Sequence, residues 1–270
     1  MRRTAGLLAG MVGLLALAGS EPASAQASMM QHVDLTSPKM SEAELSRAEV
    51  IALLEAATAE QPANLADKGL NGLDLSGLDL SGADFSRSRL NRVNLKGAVL
   101  RGAKLDLAWL IEADLENADL RGVSMIQTQL IKARLAGADL SNARIVANFE
   151  GANLADAKLT NASMAPDMRN QSMGLMRTIF RSAVLDRADL SGTDLAWADM
   201  EFAKLRDSVL VGVDFNLARL GGVDMTGANV RGMNVAGANL ASAVLLQLIG
   251  EDDIQGLDQA IHLNRAFRDR

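Results

Sequence analysis

Few residues in this chain are of a type that performs chemistry. The 270 residues include two histidines, His32 and His262, and no Cys or Tyr. Without cysteine there is no disulfide framework, thiolate metal site or thiol nucleophile. No Ser-His-Asp constellation, HExxH helix, phosphate loop or GxGxxG run is present. The remaining candidates are methionines: Met164, Met168, Met173 and Met176 flank the segment Pro166-Asp167-Met168-Arg169-Asn170-Gln171. Clustered thioethers can hold Cu(I), or can fill an irregular break in a core. Both histidines read as solvated side chains rather than as bases or ligands. The expectation is a non-enzyme without a cofactor.

The elements that carry these residues are set by a repeat. Hydrophobic residues make up 49% of the chain and aromatic residues only 3%, so the core must be aliphatic. The chain reads Leu75-Ser76-Gly77-Leu78-Asp79-Leu80-Ser81-Gly82-Ala83-Asp84-Phe85, and later Ala113-Asp114-Leu115-Glu116-Asn117-Ala118-Asp119-Leu120-Arg121-Gly122. An apolar centre recurs every five residues from 65 to 145, from 149 to 164 after a one-residue deletion, and from 175 to 245 after an interruption. That frame holds 36 centres, 25 of them Leu, and 22 of the residues two before a centre are Ala. A period of five fits neither a helix nor a flat strand. A large and a small residue pointing inward, with Gly or Asn at the end of the unit, predict a tight turn every five residues and a narrow tube filled by side chains.

Tandem Ala-Asp/Asn-Leu-x-x over residues 63 to 247 resembles the pentapeptide-repeat family. The resemblance implies an all-β solenoid, a right-handed quadrilateral β-helix with four pentapeptides per coil. Thirty-six units would make about nine coils, a rod about 43 Å long at the usual strand spacing. Lys68 and Leu73 depart from the small inward residue in the first coil.

An open β-helix end must be covered. Ser41-Glu42-Ala43-Glu44 reads as a capping box, followed by Leu45, Val50, Ile51, Leu53 and Leu54, so residues 41–62 are expected to hold an N-terminal capping helix closed by Pro62. After Gln247 the repeat is lost, and Ile254, Leu257 and Ile261 suggest a short amphipathic helix in residues 248–270, a cap or a dimerisation segment. The interruption, 165–172, separates repeat segments 63–164 and 173–247. Residues 26–40 read as a flexible tail. Ahead of it, Arg2 and Arg3, an apolar run from 5 to 17 and Ala23-Ser24-Ala25-Gln26-Ala27 have the order of a secretory signal, assigned to residues 1–25. A retained anchor helix is the other reading of that run, which is short for a span. A periplasmic or secreted protein, with no membrane span once the signal is removed, is the expectation.

Some members of the resembled family mimic duplex DNA and bind type II topoisomerases through acidic rows. Residues 63 to 164 instead carry 12 acidic and 12 basic residues, and 183 to 247 carry 8 and 5. A phosphate-like field is absent, and no basic excess or stacking platform supports nucleic-acid binding. With residues 20 apart stacked, Ile111 lies on Ile131 and Ile126 on Val146, Trp109 joins the first row, and Trp197 and Leu217 form another with Phe202 beside it. Apolar residues at these outward positions are candidate contacts for a protein partner or a second copy, or are scattered surface hydrophobics. A non-catalytic interaction scaffold is the leading reading, a topoisomerase-directed DNA mimic its alternative, and periplasmic metal binding at the Met cluster a third.

Overall fold

The computed structural model describes residues 33–166 and 177–269. The chain divides into units 1–33 and 34–270, and the architecture below is that of the second. Parallel rungs join residues 20 apart: Asn64 to Asp84, Lys104 and Ser124, and Asp74 to Asn94, Asp114 and Arg134. Four five-residue sides therefore make one coil. Each centre donates its N–H to the coil ahead, as Leu115 does to the Arg134 carbonyl at 2.7 Å, and the residue before it donates to the coil behind, as Asp114 does to Val93 at 2.9 Å. Every described centre, from Leu65 to Leu245, is at most 3% exposed. Burying each contributes about 1.5–3 kcal/mol, spread evenly along the rod.

Turns recur at positive φ two residues after each centre. Where that corner is Gly the conformation carries no strain; elsewhere Arg92, Leu107, Trp197 and Phe202 adopt it at φ of 55° to 64°.

One corner breaks the rule. Between centres Ile145 and Phe149 a residue is missing, and β1 (Ser124–Gln129) and β2 (Arg144–Asn148) run across the corner in parallel, with Ile126 paired to Val146 and a register shift before Gln129–Asn148. In the next coil the same corner takes up extra chain: Asn148 pairs with Ile179 and Asn153 with Val184. Among the described residues the coil frame resumes at Phe180; the expected resumption at 173, with Leu175 as its first centre, lies outside the described residues. Thr178 heals the join, donating its hydroxyl to the carbonyls of Ile145 at 3.2 Å and Met164 at 2.9 Å. The rings of Phe149 and Phe180 stack across it at 4.8 Å.

The N-terminal end is closed differently from the expectation. Helix α1 (Pro38–Ser41) is a single turn, and α2 (Arg47–Glu55) begins at Ser46, not Ser41. Its capping box is Ser46 and Glu49, whose carboxylate accepts the Ser46 N–H at 2.7 Å. Ser41-x-x-Glu44 fails as a cap because Glu44 is needed elsewhere. The first coil exposes the edge of Gly69, and Glu44 satisfies it twice, donating its N–H to the Gly69 carbonyl at 2.7 Å and accepting the Gly69 N–H at 3.0 Å. A Cβ on Gly69 would sit 3.0 Å from Glu44 Cγ, so a larger residue there would push the Glu44 side chain back. Val50 is fully buried, and Leu45, Leu54 and Ala57 pack on the core beside Leu73 and Leu78, the large residues at small inward positions. Those departures from the repeat belong to the lid; Lys68 is exposed.

The C-terminal segment is not an amphipathic helix. It continues the rod with six-residue sides: Ile249, Gln255, Ile261 and Phe267 pair with Asn229, Asn234, Asn239 and Val244, the last through β3 (Val244–Leu245) and β4 (Phe267–Arg268). Gly250, Gly256 and His262 turn at positive φ into 3₁₀ turns Glu251–Asp253, Leu257–Gln259 and Leu263–Arg265. Within each turn the carbonyls accept locally, Gly250 from Asp253 and Glu251 from Ile254, both at 3.1 Å.

Candidate functional site: one side of the rod

The outward residues just before the centres of one side form a continuous column: Gly69, Arg89, Trp109, Gln129, Asn148, Ile179, Asp199, Arg219, Asn239 and Ile261. This side, called side 1, is bounded by the corner bearing Leu107, Trp197 and Leu217 and by the corner bearing Arg92, Glu112 and Phe202. All eight apolar positions singled out in the sequence fall on it or its borders. Trp109, Ile111 and Ile131 are on the side, Ile126 and Val146 flank the irregular corner, Trp197 and Leu217 sit at that corner, and Phe202 is at the opposite one. The missing residue and the excursion open at the same border.

The placement follows from what the repeat omits. On other sides an Asp or Asn often precedes the centre and its side chain accepts the N–H two residues on, as Asp74 does from Ser76 and Asp79 from Ser81, each at 3.0 Å. The head of side 1 has Gly69 and Arg89 there instead, and the usual bond returns farther along at Asn148, Asp199 and Asn239. At the head the N–H groups are satisfied from the coil behind: Asn71 Oδ1 accepts from Asn91 N at 3.0 Å, and Asn91 Oδ1 from Ile111 N at 3.1 Å.

Against this start of side 1 lies residues 34–44, which corrects the flexible tail expected through residue 40. Asn71 Nδ2 donates to the carbonyls of Glu42 at 2.9 Å and Lys39 at 3.3 Å, and Asn91 Nδ2 to Met40 at 3.1 Å. Leu35, Thr36 and Met40 close over Asn91, Arg92, Ile111 and Glu112 around a cavity of about 100 Å³. Ile111 is consequently 6% exposed and is removed from the set of free contact residues. Arg89 ion-pairs with Glu44. The Gly69 N–H, with the nearby Arg89 charge, outweighs desolvation and holds the Glu44 carboxyl below its ordinary range.

Farther along, Asp199 is 1% exposed although it points outward. Arg181 reaches it at 2.8 Å and Glu201 at 3.7 Å, while Arg219 reaches Glu201 at 2.7 Å and Asp199 at 3.8 Å. Two acids and two bases thus neutralise one another in the middle of side 1. At its edges Phe202 is 66% and Leu217 39% exposed, and Trp109, Ile126, Ile131, Val146 and Trp197 are half-buried. The Phe202 ring lies against the bare backbone of Gly222, where an added Cβ would be 2.6 Å from the ring. Leu107, 43% exposed at the same corner as Leu217, is a further apolar residue on this border; the sequence signal for it is an apolar residue two after a centre, where the repeat favours Gly or a polar residue.

Met164 is a fully buried coil centre, so it is core rather than ligand; Met168, Met173 and Met176 lie outside the described residues. Among the described residues no group of three His, Cys, Asp or Glu could hold a metal, and no helix is long and apolar enough to cross a membrane. His32 and the signal-like segment 1–25 are outside the described residues. His262 is exposed at its turn, with Nδ1 3.2 Å from Asn239 Oδ1.

Pentapeptide repeats match this chain in eight copies, over residues 70–106, 108–145, 175–201 and 193–232. Among solved structures it is similar to HetL, a pentapeptide repeat protein involved in heterocyst differentiation regulation from the cyanobacterium Nostoc sp. strain PCC 7120. The two share 29% identity, covering 83% of this chain and 95% of that one, with a TM-score of 0.54. Trypsin-treated QnrB1, a plasmid-mediated fluoroquinolone resistance protein, aligns at 16% identity over 75% of this chain and 90% of its own, with a TM-score of 0.33. A pentapeptide repeat protein from the Arabidopsis thaliana thylakoid lumen aligns at 25% identity over 40% and 65%, with a TM-score of 0.24. No curated protein matches significantly.

Proposed function

We propose that this chain, which belongs to the pentapeptide-repeat family, is an exported, non-catalytic scaffold that presents side 1 to a protein partner or to a second copy. The observation that carries the reading is the exposure of Phe202 and Leu217 on either border of a side whose charges are internally neutralised. A surface of that kind favours contact by apolar burial, with little charge required of the partner. Export rests on the order of charges, apolar run and small residues before residue 28.

A DNA mimic would need unbroken carboxylate rows. Along the described surface the acids are interleaved with bases: Asp119 with Arg101 and Arg121, Asp114 with Arg134, Asp156 with Arg187, Asp224 with Arg206. The scaffold reading is therefore preferred. Cell fractionation separates the two, since a mature chain starting near Gln26 or Ser28 outside the cytoplasm excludes the mimic and a full-length cytoplasmic chain restores it. The contact surface is tested by affinity capture from periplasmic extract and by sedimentation, comparing wild type with F202D/L217D. Loss of a captured protein or of self-association is expected at unchanged thermal stability; identical partners and oligomeric state would remove side 1 from the reading.

A further inference from the structure

The asparagine pair at the head of side 1 bonds to the peptide backbone lying over it. Asn71 and Asn91 are 3% and 4% exposed. Each turns its oxygen to the N–H of the next coil, which fixes the amide, and aims its NH₂ outward. What those NH₂ groups meet is main chain: the carbonyls of Lys39, Met40 and Glu42. The side chains of Lys39 and Glu42 take no part in these bonds, and Met40 supplies the buried apolar contact at 8% exposure. Lys39 and Met40 lie in the single helical turn α1 and Glu42 directly follows it, so recognition takes affinity from the main-chain carbonyls of a one-turn segment and selects one apolar side chain.

We infer that this head of side 1 is a peptide-binding site, filled in cis by residues 34–44 and open to a segment of a partner protein that forms the same single helical turn, offering carbonyls at the same spacing and an apolar residue in the place of Met40. The seated segment is the argument for the occupant, because it displays the chemistry that fits. Its hold grades along its length. Residues 42–44 are tied to Asn71 and Gly69, whereas residues 34–37 bond mainly to one another, through Asp34 Oδ1 with the Thr36 N–H and hydroxyl at 2.9 and 2.6 Å and the Asp34 carbonyl with the Ser37 hydroxyl at 2.7 Å. Displacement can therefore begin at the end over Ile111 and proceed toward Asn71. Leu35, 36% exposed, caps the cavity at that end. The inference rests on the reading of side 1 as the interaction face, yet concerns a different part of it from Phe202 and Leu217.

The test is fluorescence anisotropy of a labelled peptide with the sequence of residues 34–46, titrated with the full chain carrying L35D and M40D. Saturable binding at micromolar protein is expected, with wild type binding at least tenfold more weakly because its own segment competes at high effective concentration. Adding N71D and N91D keeps both acceptors but replaces the NH₂ donors by anionic oxygen, and should weaken binding at least tenfold. A peptide with Ala for Lys39 and Glu42 should bind within twofold of the parent. If L35D/M40D does not fold by circular dichroism, M40A takes its place in the same titration. Absence of saturable binding, or binding indifferent to N71D/N91D, overturns the inference. Either result leaves F202D/L217D capture free to succeed or fail on its own.

Discussion

Gly122 and Gly222 occupy corner positions with the same φ of 66°, but a side chain added at the first meets nothing within 4 Å and at the second meets the Phe202 ring. Gly122→Ala therefore isolates the cost of a left-handed corner, about 1 kcal/mol. Gly222→Ala adds displacement of the ring and is expected to cost about 2 kcal/mol. Urea unfolding of both, and of G222A on an F202A background, checks the separation: the excess should vanish when the ring is gone. An excess that persists would mean that Phe202 does not rest on Gly222. The same corners explain the low aromatic content. Inward positions take one large aliphatic and one small residue, so of the rings other than the four buried Phe residues Trp109 stands on side 1, Trp197 and Phe202 at its borders and Phe267 on the last coil, with Phe202 the most exposed.

Helix α2 shows where reading a sequence by local signals succeeds and where it stops. Two S-x-x-E boxes precede the same apolar run, Ser41 to Glu44 and Ser46 to Glu49, and nothing local ranks them. The choice is made by Gly69, which needs a partner at the open first coil and takes Glu44. Ser46→Ala is accordingly expected to cost about 1 kcal/mol in equilibrium unfolding. Ser41→Ala costs less, since its hydroxyl bonds only to Ser37 at 2.9 Å and, longer, to Thr36; the reverse order would return the helix start to Ser41. The five-residue period was legible because each centre repeats the same demand on the core. The final coil obeys a period of six, marked by Gly250, Gly256 and His262, but with only three corners to show it the spacing of Ile254, Leu257 and Ile261 passes for a helix. The segment over Asn71 and Asn91 left one trace, the replacement of Asp or Asn by Gly69 and Arg89, and that absence became informative only once the other sides showed what the missing side chain does.

Carboxylates hydrogen-bonded or paired along the whole rod tie its stability to pH. Asp67 is held below its ordinary 3.8 by its hydrogen bond to Arg87, Asp79 by Ser81, Asp156 by Arg187, and Asp119 by Arg121 and, against some desolvation, Arg101. Groups with lowered folded-state values stabilise the fold above their unfolded value and lose that contribution as the pH falls toward the folded one. The melting temperature is thus expected to stay flat from pH 7 to about 5 and to fall below about pH 4; a decline beginning near pH 6 would point to other groups. Because these pairs are exposed and distributed, no single acid-to-amide change should reproduce the fall. The twenty-residue register has a further outcome at this scale. Three sides keep their columns in step past a coil that is one residue short and another that is eleven long, since both irregularities are confined to one corner. Every outward residue consequently has an address, a side and a coil, that holds independently of what occupies its neighbours' addresses. Such a surface can be rewritten one square at a time: a backbone reader at the head of side 1, a neutral ion cluster in its middle and a bare aromatic on its border share one scaffold without any of them setting the shape of the others.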